Sequence, residues 1–145
     1  MRLVLQRVSS ASAVVGGEQV AAIGHGLLIL VGISAEDCTD DADMLAAKTA
    51  RLRIFEDADG RLHRSILEVD GEALVVSQFT LIADTAKGNR PSFSDGASHE
   101  DARRLVERYC TALASEGIAV STGVFGARMT VELANEGPVT IVLDR

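Results

Sequence analysis

Short apolar runs separated by glycine-containing turns fill the first quarter of the chain and predict β-strands. The predicted strands cover residues 3–8, 12–15, 19–23 and 27–33. The pair Gly16-Gly17 supplies a hairpin turn between the second and third runs. The last run is apolar throughout, which is typical of a strand buried on both faces.

Two amphipathic segments predict helices, one in each half of the chain. The first covers residues 39–52, and three aspartates in its first turn suit the positive end of the helix dipole. The second follows Ser98, a predicted N-cap with Asp101 at the capping-box position, and Gly117 marks its end. Its apolar stripe consists of Ala102, Leu105, Val106, Tyr109, Cys110 and Leu113.

The remaining apolar segments predict strands at residues 73–79, 118–124, 129–133 and 139–143. A stretch rich in glycine, asparagine, proline and serine, residues 84–97, predicts a long loop. No linker or low-complexity segment divides the chain, so we expect a single domain over residues 1–145. The pattern favours a mixed α/β (α+β) fold of two largely antiparallel, curled sheets in a barrel-like sandwich, with two helices packed outside.

Length and composition indicate which residue types form the core and where in the cell the protein is located. At 145 residues, one domain can bury roughly 68–70% of its unfolded surface. Hydrophobic residues make up 47% and aromatic residues only 3%, so we expect an aliphatic core. No run approaches the roughly 20 apolar residues that span a bilayer, and no basic-then-apolar leader opens the chain. These features predict a soluble cytoplasmic protein without a membrane partner.

The usual signatures of metal sites and of nucleophilic serines are missing. His25, His63 and His99 have no second His or Cys at metal-ligand spacing, so we expect no metal. There is no Gly-x-Ser-x-Gly elbow, although a Ser–His–Asp arrangement formed in space stays open. Cys38 and Cys110 lack framework spacing, and Cys110 falls on a helical stripe, which favours a reduced, buried thiol.

The first candidate for chemistry is the segment Ser77-Gln78-Phe79-Thr80, which follows an apolar strand-like run. In one interpretation the hydroxyls of Ser77 and Thr80 cap free backbone groups at the strand end, and Phe79 lies in the core. In the other, the backbone N–H groups of Phe79 and Thr80 face a bound ester. Such donors stabilise a developing oxyanion by about 3–4 kcal/mol each.

The second candidate is Gly137-Pro138, which lies between two predicted strands. An isolated Gly-Pro usually forms a hairpin turn. An X–Pro bond is also the peptide linkage in which the cis form costs least, under about 1 kcal/mol relative to trans. A turn and a small rigid acceptor site therefore both remain possible from the residues alone.

These two segments, together with five other stretches in the same order, make the chain resemble the D-aminoacyl-tRNA deacylases (the D-tyrosyl-tRNA deacylase family). The resemblance runs nearly from end to end. The other stretches are Leu5-Gln6-Arg7-Val8, the strand at residues 26–32, Arg53-Ile54-Phe55 followed by Asp57 and Gly60, Arg90-Pro91-Ser92-Phe93, and Phe125-Gly126-Ala127-Arg128-Met129.

The resemblance implies hydrolysis of the ester between a D-amino acid and the terminal adenosine of tRNA, which is chiral proofreading in translation quality control. Mischarged glycyl-tRNA is implied as a further substrate. No cofactor is implied, and the implied assembly is a homodimer with its active sites at the interface. Because the net charge of −7 argues against broad nucleic-acid affinity, we expect contact at the acceptor end only. Local cations would make this contact, such as Arg7, Lys87, Arg90 and Arg128.

For catalysis, the resemblance implies that Ser77, Gln78, Phe79 and Thr80 form the reactive segment. We favour attack by water, assisted by the 2′-hydroxyl of the substrate ribose. The amides of Phe79 and Thr80 would then hold the oxyanion, and Gln78 would orient the substrate or the loop. Covalent attack by Thr80 is the alternative, although a threonine without a neighbouring base is a poor nucleophile at neutral pH.

For selectivity, the resemblance implies a cis Gly137-Pro138 step that reaches into the active site of the partner subunit. Its carbonyls would meet the substrate ammonium group and leave no room for an L-side chain. Arg7 is expected to fix this segment, because a guanidinium can bind several carbonyls at once. The alternative for Arg7 is a solvated charge on a strand.

The remaining implied residues shape the pocket. Phe125 and Met129 are expected to form the adenosine platform, with core packing as the competing interpretation. Pro91, Ser92 and Phe93 are expected at the pocket rim. Two other functions stay open: a non-catalytic module that binds an aminoacyl or RNA terminus, and an esterase or amidase that acts on other D-amino acyl compounds.

Overall fold

The computed structural model describes all 145 residues and contains a curled six-stranded sheet, a two-stranded sheet and two helices. The helices are α1 (Thr39–Arg51) and α2 (His99–Ser115). The strands are β1 (Arg2–Val15), β2 (Glu18–Ile23), β3 (Gly26–Gly32), β4 (Phe55–Glu56), β5 (Leu62–Arg64), β6 (Glu72–Ser77), β7 (Ala119–Thr122) and β8 (Thr130–Asp144).

The long strand β1 organises the sheet, because three antiparallel partners lie along it. Strand β8 pairs along one edge of β1 for most of its length. On the other edge, β3 pairs with residues 2–8 of β1, and β2 pairs with residues 11–15. A strand that binds partners on both edges over so many residues curls the sheet towards a barrel.

Beyond β3 the sheet continues in parallel, in the order β3-β6-β7. Parallel neighbours need a crossover connection, and the chain supplies α1 between β3 and β6, and α2 between β6 and β7. Strand β3 is buried along nearly its whole length, as its continuous apolar sequence predicts. The carboxyl ends of β3 and β6 therefore lie side by side.

Local signals at the helix ends act as expected. The Ser98 hydroxyl accepts a hydrogen bond from the Asp101 N–H at 3.1 Å, and Gly117 follows α2 with φ +99°. Both helices contribute to a core that consists mainly of aliphatic side chains. The aromatic ring of Tyr109 is among the largest fully buried side chains in it. The mixed α/β class and the two outer helices are confirmed.

Several strand boundaries differ from the prediction: β7 is shorter than the predicted strand at residues 118–124, and β4 and β5 were not predicted. Residues 3–8 and 12–15 belong to one strand, β1, and residues 129–133 and 139–143 belong to one strand, β8. The strand predicted over residues 73–79 ends at Ser77, and a 3-10 turn, Phe79–Ile82, follows it. The predicted strand is therefore two residues too long, because the backbone leaves the sheet after Ser77. No helix is both long enough and apolar enough to cross a membrane.

Candidate active site

A cavity of about 420 Å³ opens where the parallel strands β3 and β6 end. Its floor comes from these strand ends and from α2, and its walls come from residues 77–79, Phe93 and residues 125–131. Twelve of its seventeen lining residues are hydrophobic, so a ligand here is desolvated over most of its surface. Clefts outside the carboxyl ends of parallel strands are common ligand sites in α/β proteins.

Residues 77–80 form the polar end of this cavity. Ser77, Gln78 and Phe79 line it, whereas Thr80 is exposed and does not. The Gln78 N–H donates to the Val31 carbonyl at 2.7 Å, which ties the segment to β3. The Gln78 side-chain amide donates to the Thr80 hydroxyl. Because Phe79 begins a 3-10 turn, the first N–H groups of the turn have no partner inside it.

Two exposed aromatic rings face each other at the cavity wall. Phe79 is 66% exposed, and its ring centroid lies 5.1 Å from that of Phe93 at an interplanar angle of 63°. The interpretation that placed Phe79 in the core is therefore wrong. The exposure follows from the end of β6 at Ser77, which turns Phe79 out of the sheet.

Only one of the three predicted rim residues reaches the cavity. Phe93 lines it, whereas Pro91 and Ser92 are exposed outside it. Asp84 and Ser92 exchange backbone hydrogen bonds of 2.8 and 2.9 Å, which close the base of the loop. Pro91 and Ser92 thus belong to the arm that carries Phe93, not to the cavity surface.

Phe125 and Met129 also line the cavity, and both pack against the core. A Cβ at Gly123 would lie 2.7 Å from the Met129 Sδ, so the glycine makes room for this side chain. Gly126 has φ +76° and turns the chain between them. The two interpretations of Phe125 and Met129 are therefore compatible, because each side chain packs against the core and also contributes to the cavity surface.

His99 is a cavity residue that the sequence interpretation did not select. Its ring centroid lies 5.0 Å from that of Phe125 at an interplanar angle of 75°. The predicted N-cap at Ser98 already placed His99 in the first turn of a helix. No sequence signal showed which other segments that turn faces, because residues 77–79 and 125–131 are distant along the chain.

The other group of predicted residues surrounds Arg7, which is only 4% exposed. Its Nε donates to the Glu136 carbonyl at 3.2 Å, Nη1 donates to the Ile54 carbonyl at 2.9 Å, and Nη2 contacts the Glu56 carboxylate at 3.0 Å. Arg7 is thus a buried cross-link between β1, β4 and β8. The alternative of a solvated strand charge is wrong.

Gly137 and Pro138 lie on a bulge of β8 opposite Arg7. Gln6 and Val8 of β1 pair with Thr140 and Asn135 of β8, so residues 136–139 have no ladder partner and lie opposite a single residue of β1, Arg7. The peptide bond between Gly137 and Pro138 is cis, and both residues are exposed. The hairpin interpretation is wrong, because one strand continues through the bulge.

The side chains of the two residues before Gly137 make contacts that support this bulge. The Asn135 amide donates to the carbonyls of Arg7 and Val139 at 2.9 and 3.0 Å, which connects the two ends of the bulge. The Glu136 carboxylate lies 3.3 Å from the His25 imidazole. The sequence interpretation gave no role to the side chains of Asn135 or Glu136.

The two groups of residues do not meet within one chain. Arg7 and Glu136 line a separate polar cleft of about 500 Å³, and neither Gly137 nor Pro138 lines the apolar cavity.

No group of three or more His, Cys, Asp or Glu side chains is arranged to hold a metal ion. Cys110 is unpaired and partly buried, and burial raises the pKa of its thiol to about 11.

The sequence matches known proteins along its whole length. The model of the family described as D-Tyr-tRNA(Tyr) deacylase matches residues 4–144. A D-aminoacyl-tRNA deacylase of Roseiflexus sp. (strain RS-1) is 60% identical over 144 residues, which cover 99% of this chain and 93% of the relative. For the enzyme of the same name from Thermus aquaticus, the identity is 51%, with 99% of this chain and 95% of the relative covered.

Solved structures share the fold of this chain. The structure called c-Myc DNA Unwinding Element Binding Protein has a TM-score of 0.93 and 40% identity, covering 100% of this chain and 99% of its own. A probable eukaryotic D-amino acid tRNA deacylase has a TM-score of 0.87, with 99% and 98% covered, and at 18% identity it shows the fold alone. The chain therefore belongs to the D-Tyr-tRNA(Tyr) deacylase family and, like its named relatives, is a hydrolase that acts on D-aminoacyl-tRNA.

Proposed function

We propose that this enzyme is a chiral proofreader, which hydrolyses D-aminoacyl-tRNA and glycyl-tRNA and leaves L-aminoacyl-tRNA intact. The observation that carries the proposal is the cavity at the ends of β3 and β6, apolar on most sides and bounded at one end by residues 77–79. Such a site suits an aminoacyl ester, because the flat face of its base packs against apolar side chains while its carbonyl needs hydrogen-bond donors.

In the proposed reaction, water adds to the ester carbonyl, and the N–H groups of Phe79 and Thr80 stabilise the resulting oxyanion. The bond to the ribose oxygen then breaks, and that oxygen takes a proton that the attacking water releases through the neighbouring 2′-hydroxyl. The contact of the Thr80 hydroxyl supports a backbone role for this residue, because the hydroxyl accepts a hydrogen bond from the Gln78 side-chain amide and has no base beside it. A threonine hydroxyl without a base is a poor nucleophile at neutral pH.

Selectivity is proposed to come from Gly137 and Pro138 of a second copy of the chain. Two observations support this proposal. The bulge that carries Gly137 and Pro138 is exposed and is held in place by Arg7 and Asn135. It also lies outside the cavity of its own chain. A homodimer with its active sites at the interface would bring the two groups together. Backbone carbonyls there would bind the substrate ammonium and exclude an L-side chain, whereas glycine has no side chain to exclude.

The acceptor end of tRNA is the proposed partner, with contacts restricted to the surroundings of the cavity. Arg128 is exposed and stands between the lining residues Ala127 and Met129, and the loop that carries Lys87 and Arg90 leads to Phe93. These cations fit the terminal phosphates. The net charge of −7 is unfavourable for the rest of the RNA.

The proposed function is tested with matched D- and L-tyrosyl-tRNA, followed by the release of free amino acid. We expect release from the D-ester and from glycyl-tRNA, and none above the spontaneous rate from the L-ester. Equal release from both enantiomers contradicts chiral selection. Binding without release favours the non-catalytic module, and equal efficiency on simple D-amino acid esters favours the general esterase.

The cross-subunit site is tested by complementation. Ala102→Phe fills the cavity, and Pro138→Ala alters the bulge, so each homodimer should lose activity. A purified heterodimer of the two variants would contain one intact cavity facing one intact bulge, and we expect it to recover about half of the wild-type rate. An inactive heterodimer, or a wild-type chain that sediments as a monomer, contradicts this arrangement.

A further inference from the structure

His99 is the only ionisable side chain among the residues that line the apolar cavity. The other polar side chains there are those of Ser77 and Gln78, at the end of β6. The imidazole therefore provides the one strong polar contact on the α2 side of the cavity. None of the roles proposed above for residues 77–80, Phe125 and Met129 involves the His99 imidazole.

The position of the imidazole is defined by its neighbours. The edge-to-face contact with Phe125 joins the ring to the wall on which the adenosine platform is proposed. A Cβ at Gly126 would lie 3.2 Å from the His99 Nε2, so the ring stands directly beside the backbone at Gly126. Ser98, the N-cap of α2, and Asp101, in its first turn, hydrogen-bond to each other and not to the imidazole. The imidazole is therefore available to a ligand in the cavity.

A neutral imidazole offers one N–H donor and one acceptor nitrogen. An adenine edge offers an amino group that donates and ring nitrogens that accept, so a single imidazole nitrogen of either kind finds a partner there. We propose that His99 is a further substrate-binding residue, which hydrogen-bonds the base edge of the terminal adenosine while Phe125 and Met129 contact its face. The inference rests on the proposed function and adds a determinant of base specificity to it.

The neighbours of His99 are Phe125 and Gly126, so its contribution is to binding and not to the chemical step. The kinetic test compares His99→Ala, His99→Phe and His99→Gln on D-tyrosyl-tRNA, with His63→Ala as the control for an exposed histidine on β5, outside the cavity. For Ala and Phe we expect KM to rise about threefold to tenfold, the range of one neutral hydrogen bond, with kcat unchanged. Gln, which retains a donor and an acceptor, should restore most of the affinity, and His63→Ala should behave like wild type.

Two kinetic results would overturn the inference. If His99→Phe matches wild type while His99→Gln does not, the contact is aromatic packing and not a hydrogen bond. If kcat falls in all three variants at unchanged KM, His99 acts on the reacting ester and not on the base.

A binding measurement separates this inference from the proposed function. Adenosine is titrated into the wild-type protein and into His99→Phe, and the imidazole nitrogen resonances are followed by NMR, with uridine, whose base has no amino group, as the matched nucleoside. We expect adenosine alone to shift the His99 signals, and to bind the variant several-fold more weakly. The same shift with both nucleosides, or with neither, overturns the role of His99 whether or not the enzyme hydrolyses D-aminoacyl-tRNA.

Discussion

At the scale of single residues, Gly137 shows why the bulge of β8 needs an amino acid without a side chain. Its φ of +120° lies in the region that L-residues rarely adopt. A Cβ there would lie 2.9 Å from the Arg7 Nη2 and 2.9 Å from the Val139 Cγ2. Arg7 cannot move aside cheaply, because it is buried and holds two carbonyls and a carboxylate.

Gly137→Ala should therefore lower the free energy of unfolding by about 1–3 kcal/mol, the usual cost of a residue held in a sparsely populated conformation. Chemical denaturation measures the loss. Gly60→Ala is the matched control, because Gly60 has φ +75° but nothing within 4 Å of the added Cβ. Equal losses in the two variants would mean that the contact with Arg7 contributes nothing. The variant should also discriminate less well between D- and L-tyrosyl-tRNA.

Thr80 gives the second prediction at this scale. If its backbone N–H is the group that matters, Thr80→Ala should keep turnover of D-tyrosyl-tRNA within about tenfold of wild type, because the amide is unchanged. The loss of the Gln78 contact accounts for a modest decrease. A variant that forms no product would instead favour covalent attack by the hydroxyl. Single-turnover assays under identical conditions distinguish the two results.

At the scale of elements, the two helices are joined by a hydrogen bond inside their interface. Thr49 Oγ1 and Tyr109 Oη are 3.0 Å apart, and neither residue is accessible to solvent. An exposed pair, Arg108 with Asp43, adds two contacts of 2.6 Å at the surface. A buried pair without water is expected to matter more than an exposed one.

Tyr109→Phe should lower the free energy of unfolding by about 1–3 kcal/mol, because it leaves the Thr49 hydroxyl buried without its partner. Adding Thr49→Val removes that unpaired hydroxyl and should recover part of the loss. Arg108→Gln, which breaks only the exposed pair, should cost less than Tyr109→Phe. If the double variant is no more stable than Tyr109→Phe alone, the hydrogen bond is not the cause of the loss.

At the scale of the whole molecule, the loss of stability at low pH measures how far the fold depends on ionised carboxylates. Asp41 is buried at the start of α1, and its carboxylate accepts the Cys38 N–H at 2.9 Å and pairs with Arg145. The Cys38 N–H, and then Arg145, lower the pKa of Asp41 below its ordinary value of 3.8, although burial opposes them.

Because the unfolded chain takes up the Asp41 proton at a higher pH than the folded chain, stability is present above about pH 4 and is lost as the pH falls further. Denaturation followed between pH 6 and pH 3 should show this loss. Asp41→Asn should be less stable at pH 6 and should lose less on acidification. An unchanged slope in the variant would assign the acid sensitivity to other carboxylates.

Much of the secondary structure could be predicted because its signals act over a few residues. The Ser98 cap, the stop at Gly117 and the continuous apolar run of β3 each depend on neighbouring side chains and backbone, and each was placed correctly. The resemblance to a family likewise rests on motifs that can be read along the chain. It led to the correct enzyme class before any contact was known.

The tertiary structure decided where strands end and which residues meet. Strand β6 ends at Ser77, where the chain enters the 3-10 turn Phe79–Ile82, and β8 continues through Gly137 because Asn135 and Arg7 bind the residues that have no ladder partner. The burial of Arg7 and the place of His99 in the cavity follow from the same long-range pairing. Local sequence cannot reveal these features, because hydrogen bonds and burial depend on segments that only the folded sheet brings together.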